Sequence, residues 1–338
     1  MLKHIVRHFL LFLLLLAGAL VCTVPASAQG MQFFSIGTGG TGATYYPLAV
    51  TIASAISNPP GSRPCNEGGS CGVPGLVAMA QSSGGSVDNI EGIRSGLFNS
   101  GFSQSDVAYL AYTGAGRFAA SGPVKELRAI SALYPEHIQL IARSDTGIKS
   151  VIDLKGKRVS LDERGSGSYI NATQILEAYG LKESDLTASF LKSTPSADAM
   201  ISGKLDAFFI TSGYPTNAII DLVDRAPITL VPIKGPTAEA IVAKFGFYSA
   251  DRIPADTYKG VGTTETLAVG AQWITSTRMD EALAYAITKA LWSPQSRRLL
   301  DVGHAKGKLV TLNTALDGIA IPLHAGAERY YREAGVLK

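Results

Sequence analysis

The sequence predicts an α/β fold with mainly parallel sheets, on three observations. Short extended apolar runs alternate with helix-like runs along the whole chain. Two of the strand-to-helix junctions, at residues 37–44 and 165–168, are built from glycines and hydroxyl residues. After residue 28 no stretch reaches the roughly 18 apolar residues of a membrane-spanning helix.

The extended runs fall at residues 31–36, 103–110, 129–132, 138–142, 158–161, 207–210, 229–232 and 267–274. Helical runs lie between them at 45–56, 87–95, 169–179, 196–202, 216–223, 237–245, 280–292 and 325–334. The first strand runs into a loop with Gly37, Gly39, Gly40 and Gly42, and a helix starts at Tyr45. Glycine lets the backbone turn sharply and approach a ligand closely. The free N–H groups of the helix that follows attract anions, and Thr38 and Thr41 add donors. This junction reads as a socket for a negatively charged group, and a bulky apolar residue at Thr41 is expected to fill it. Residues 158–169 repeat the organisation: a strand, the loop Gly165-Ser166-Gly167-Ser168, then a helix. Two such sockets point to two lobes facing one ligand, because open α/β sheets bind at the carboxyl ends of their strands.

Residues 58–86 break the alternation. They are rich in Gly, Pro and Ser and read as an inserted surface loop with a helical turn at 76–80. The turn chemistry at 233–236, Pro254 and Gly260 separates later units.

The first 28 residues read as a secretory signal peptide. Lys3 and Arg7 give a basic start, residues 9–20 are apolar, and Ala26-Ser27-Ala28 is a small-residue cleavage site. Cleavage is expected after Ala28, giving an exported mature protein, for which the resemblance given below implies the periplasm. A lipid anchor at Cys22 is disfavoured by the large Val21 before it. Cys65 and Cys71 are then the cysteines left, and an oxidising compartment favours pairing them. Two free thiols are the alternative; a zinc site is not, since no histidine lies nearby.

The chain of 338 residues is 46% hydrophobic and 17% charged, which suits large cores rather than disorder. Its formal charge of +3 loses two positive charges with the leader. No basic stripe points to nucleic acid. Gly37-x-Gly39-x-x-Gly42 matches the dinucleotide fingerprint formally, but the acidic partner about twenty residues on is missing. No Gly-x-Ser-x-Gly elbow occurs, and His137, His304 and His324 each stand alone. The expectation is a protein that is not an enzyme, with no cofactor and no metal. His324, ahead of the last helix, suits a capping role.

Polar groups gather instead at strand ends: Gln104-Ser105-Asp106, Tyr134-Pro135 and Thr211-Ser212-Gly213-Tyr214-Pro215. Each alone is ordinary turn chemistry; together they suggest a site. Arg117, Arg128, Arg143 and Arg164 are the candidates to pair a carboxylate, with Arg164 foremost. Tyr45, Tyr46, Tyr134 and Tyr214 are candidate walls.

Residues 36–47, Ile-Gly-Thr-Gly-Gly-Thr-Gly-Ala-Thr-Tyr-Tyr-Pro, resemble the opening motif of the TAXI group of solute receptors, which serve tripartite ATP-independent periplasmic (TRAP) transporters. Further matches follow in order at 84–89, 104–109, 131–136, 147–159, 165–168, 204–209 and 321–331. The resemblance implies a two-lobed periplasmic binding protein, type II-like, with two mixed sheets and a hinge crossed twice, near Tyr134 and Ala271. Lobe 1 would be residues 31–133 plus 272–338, and lobe 2 residues 134–271. It implies a small carboxylate ligand (an amino acid such as glutamate, or an oxo- or dicarboxylate), a TRAP-type permease as partner, and a monomer. Carried onto this chain, the ligand-binding residues are Thr38, Gly39, Gly40, Thr41, Gly42, Tyr45, Gln104, Ser105, Tyr134, Ser166, Gly167, Ser168, Gly213, Tyr214 and Pro215. Family members often have Thr-Gly-Gly-Ser where this chain has Ser83-Gly84-Gly85-Ser86.

Overall fold

In the computed structural model, strand β1 (Gln32–Gly37) leads into helix α1 (Tyr45–Ile56) across the first glycine loop. The structure describes residues 30–338; the leader at 1–28, its cleavage site and Cys22 lie outside them. Among the described residues no helix is long and apolar enough to cross a membrane. The chain continues through β2 (Ser57–Asn58), β3 (Val73–Pro74), β4 (Leu76–Gln81), α2 (Ser86–Ser95), β5 (Ser100–Gln104), α3 (Ser105–Thr113) and β6 (Leu127–Arg143). Then come β7 (Arg158–Ser160), α4 (Gly167–Ala178), β8 (Thr187–Ser189), α5 (Ser193–Ile201), β9 (Ala207–Ser212), α6 (Asn217–Val223) and β10 (Ile228–Val231). The last elements are α7 (Pro236–Lys244), β11 (Ser249–Ile253), β12 (Thr264–Ser276), α8 (Glu281–Leu291), α9 (Pro294–Gly303) and α10 (Ala325–Glu333).

The main strands run β4-β1-β5-β12-β6-β9-β7-β8, with β10 added to β6 and β11 to β12. The two expected sheets thus meet edge to edge in one hydrogen-bonded path, because β6 and β12 are long enough to serve both. The first part of β6 pairs with β12, and residues His137 to Ala142 pair with β9. In β12, Ala271 lies opposite Tyr134, and the register shifts between Ala271 and Gln272.

The cores show the same hand-over. Ile130, Leu133 and Tyr134 of β6 and Ala271 and Trp273 of β12 pack with α1, α8 and α9. Ile138, Leu140 and Ala142 of β6 and Leu267 and Val269 of β12 pack with α4 and α7. On the opposite faces, Leu127, Ala129 and Ile274 join α2 and α3, while Ile141 joins α5 and α6. Adjacent strand residues serve opposite faces because side chains alternate, and both faces of each half-sheet are helix-covered.

Three expectations need correction. The run 103–110 is not extended: β5 ends at Gln104 and α3 begins at Ser105. Val107, Ala108 and Ala111 are buried at helical spacing while Tyr109 faces out. Residues 58–86 are not all loop, and 76–80 is not a helical turn. Leu76–Gln81 is an edge strand parallel to β1, paired from Gln32–Leu76 to Gly37–Gln81; a partner more than forty residues away decides this. The runs 129–132 and 138–142 are one strand. Within the remaining loop, Cys65 and Cys71 are joined by a disulfide.

Candidate functional site

A narrow cleft opens between the two half-sheets at the carboxyl ends of their strands. From the first half it is lined by Gly39, Gly40, Ala43, Thr44, Tyr45, Gly84, Gly85, Ser86 and Gln104, with Glu136 of β6 between the halves. From the second half come Asp162, Ser166, Gly167, Ser168, Lys192, Ser193, Ile210, Thr211 and Ser212.

These residues have a common local origin. Thr44, Gly85, Gln104, Ser166 and Lys192 are the N-cap residues of α1, α2, α3, α4 and α5, and all five line the cleft. A helix start leaves backbone N–H groups unpaired and carries partial positive charge. In four of the five the N-cap side chain leaves the helix uncapped, though the first amides of α2 are taken by the Gly165 carbonyl; in α4 Ser166 accepts the Tyr169 amide at 3.0 Å.

The halves are in contact around the cleft. The amides of Val87 and Asp88 both donate to the Gly165 carbonyl at 3.1 Å, and the Ala218 amide donates to Gly42 O at 3.1 Å. The Thr44 hydroxyl donates to Gly213 O at 2.6 Å. Gly167 permits the approach: a Cβ there would run into Gln104 Oε1 and meet Ser86 Oγ at 2.9 Å.

The charges are few. Among the described residues Lys192 is the one cation lining the cleft, 3.5 Å from Glu163. Glu136 is buried, and Tyr45 donates its hydroxyl to Oε2 at 2.7 Å. Burial pushes the Glu136 carboxyl up to about 8, against the lowering effect of the Tyr45 bond, so at neutral pH it is an acid rather than an anion. Burial also raises Asp162, to about 7, on a backbone at φ 68. Gln104 is buried, and its Oε1 has no partner among the described residues.

Of the expected residues, Gly39, Gly40, Tyr45, Gln104, Ser166, Gly167 and Ser168 line this cleft. The others stand elsewhere. Thr38 is buried and donates to Gln81 O at 2.7 Å. Thr41 is exposed, so a larger side chain there would point into solvent and not fill the socket. Gly42 lies against Thr194 and Ala218. Ser105 faces a separate groove with Tyr109 and Phe247. Tyr134 packs behind the cleft against Gly213, and Pro215 lies off the lining. Tyr214 sits edge-on to His137, with Lys306 Nζ 3.4 Å above its ring. The candidate arginines turn away: Arg164 pairs with Glu183 at 2.8 Å, Arg143 with Asp145, Arg128 donates to Lys125 O, and Arg117 does not line the cleft. His324 does cap α10, accepting the Gly326 amide at 3.2 Å.

Sequence reasoning missed Thr44, Glu136, Asp162, Lys192 and Ser193; it named Thr211 and Ser212 only within a strand-end cluster, and Gly84, Gly85 and Ser86 only within a matched family segment. Gly84-Gly85-Ser86 carried a readable signal, since it repeats the glycine–hydroxyl–helix pattern of the two sockets. Glu136 carried none; a lone acid in an apolar run shows neither its burial nor its facing.

Known structures align with this chain at low identity. A protein from Bordetella bronchiseptica RB50 aligns with TM-score 0.52 and 15% identity over 90% of this chain and 82% of its own, which shows a common fold. The alkanesulfonate-binding protein SsuA from Xanthomonas axonopodis pv. citri, bound to MOPS, aligns with TM-score 0.49 and 15% identity over 90% and 84%. The periplasmic aliphatic sulphonate binding protein SsuA from Escherichia coli gives 0.43 and 14% over 89% and 83%. The NMT1-like family profile matches residues 36–335, nearly all of the described chain, and the protein belongs to the NMT1-like family.

Proposed function

We propose that this chain is a periplasmic solute receptor that closes two lobes over a small carboxylate and delivers it to a TRAP-type permease. The observation that carries the reading is the convergence of five helix starts on one cleft. The lobes are residues 31–133 with 272–338, and residues 134–271, joined near Tyr134 and Ala271. The exchange of cores along β6 and β12 and the register shift after Ala271 support that division. The mature chain begins after Ala28 and acts as a monomer.

An anion needs donors, and the cleft supplies amides, hydroxyls and Lys192. A neutral Glu136 adds a donor and removes a repulsion. Each charge-assisted hydrogen bond contributes about 1.5–3 kcal/mol. A few of them, less the costs of closure and association, give roughly micromolar binding. The reading is of a binder rather than an enzyme. Among the described residues no histidine lines the cleft to act as a base for its hydroxyls.

Titration calorimetry with L-glutamate, 2-oxoglutarate and succinate, against methanesulfonate, tests the ligand class. Binding of a carboxylate in preference to the sulfonate is expected; the reverse order would overturn the carboxylate assignment. Uptake by the reconstituted system that requires ATP instead of an ion gradient would overturn the TRAP assignment.

A further inference from the structure

We infer that Asp106 is a positioning residue for the ligand cleft: through Asn171 and Tyr248 it latches α3 of the first half to the second half. It rests on the reading of the cleft as a site that closes over its solute. Asp106 follows Gln104 and Ser105 at the start of α3, but its side chain does not line the cleft. It reaches across the gap instead. Its Oδ2 accepts Asn171 Nδ2 of α4 at 2.8 Å and the Tyr248 hydroxyl at 3.3 Å. Asn171 Oδ1 accepts the hydroxyl of Thr211, a cleft residue, at 2.8 Å, and the Tyr248 hydroxyl also reaches Gln174 Oε1 at 2.5 Å. Asp106 and Asn171 are fully buried, and Asp106 Oδ1 has no partner among the described residues.

The network ties together two helix starts that face the solute, α3 after Gln104 and α4 after Ser166. Ile170, beside Asn171, is buried in the core that otherwise belongs to α2, α3 and the first half-sheet. The contact is therefore both polar and apolar, and it exists only while the halves touch. Separation would return the carboxylate, the amide and the phenol to water at little cost. Removing the carboxylate leaves one N–H of the buried Asn171 amide without an acceptor in the closed form, while Tyr248 keeps Gln174 and Asn171, so the cost falls on closure and not on folding. A truncation there is expected to lower the closed-to-open ratio roughly tenfold or more.

Small-angle X-ray scattering of the full mature protein without solute tests this, with thermal melting alongside. Wild type is expected to scatter as the compact form described above. Asp106→Ala and Asn171→Ala are expected to expand while melting within a few degrees of wild type, and Asp106→Asn, which keeps an acceptor oxygen, stays compact. Asn171→Ala matters because Asp106→Ala also alters the first turn of α3. Equal radii in all four proteins, a wild type already as extended as the alanine variants, or a large fall in melting temperature without expansion would each overturn the latch. In a second arm, L-glutamate and 2-oxoglutarate serve as probes. Both alanine variants are expected to bind the effective probe about tenfold more weakly, and unchanged affinity would overturn the latch. If neither probe binds wild type, the ligand reading fails while the scattering still decides the latch.

Discussion

Glu136 shows how one residue sets the chemistry of the cleft. Its carboxyl holds a proton up to about pH 8 in the folded protein, against an ordinary value of 4.5, because burial disfavours the charge. The folded state therefore binds more protons than the unfolded one between those values, and stability falls as pH rises through that window. Asp162, raised to about 7, and Asp106, raised to about 6, act in the same direction. Glu136→Gln is expected to flatten the decline in melting temperature between pH 5 and pH 8.5; an unchanged slope in scanning fluorimetry would place the titration elsewhere. The same ionisation puts a negative charge beside an anionic solute, so affinity is expected to drop above pH 8 in wild type and much less in Glu136→Gln. Two substitutions separate the lining from its surroundings. Gly167→Ala fills the approach between Gln104 and Ser86 and is expected to weaken binding at least tenfold by calorimetry. Thr41→Leu, on an exposed residue, is expected to leave affinity within about twofold.

At the level of elements, legibility followed the range of the deciding contacts. The helical runs at 45–56 and 87–95 and the strand at 31–36 stand within a residue of their observed limits, because local periodicity and turn chemistry specify them. The segment 76–80 and the run 103–110 were misread, because a parallel partner and a packing face decide them and neither is visible locally. β12 carries the largest fully buried side chain, Trp273, whose Nε1 donates to Ser100 Oγ at 3.0 Å. Trp273→Ala is expected to cost about 3–5 kcal/mol in urea unfolding; a loss under 1 kcal/mol would mean the strand end is not a core element. The Cys65–Cys71 bridge closes a loop with a separation of only six positions. Replacing both with serine is expected to cost no more than about 2 kcal/mol, and less if the loop moves freely.

Over the whole molecule, β6 and β12 carry the chain between two sets of cores, and the cleft lies where they cross. Among the described residues the polar contacts between the halves include Thr44 to Gly213, Ala218 to Gly42, α2 to Gly165 and the Asp106 cluster. Such an interface is small beside the cores on either side, so relative motion is the expected soft mode. Solute bound to the closed form is expected to add about 2.7 kcal/mol of stability at one hundred times its Kd, read as a rise in melting temperature, together with a smaller scattering radius in the expanded Asp106→Ala variant. A rise in that variant's melting temperature with no contraction would mean that solute binds without closure.

The sequence alone was enough for the α/β class, the two glycine sockets and the absence of a base–nucleophile motif, since these rest on patterns within a dozen neighbouring residues. It placed seven of the cleft residues because they sit on those sockets and strand ends. Tertiary structure alone decided that Glu136 is buried at the crossing, that Thr41 faces solvent and that Asp106 reaches the opposite half. Which way a side chain faces, and how much water it keeps, depends on segments far away in the chain that fold against it.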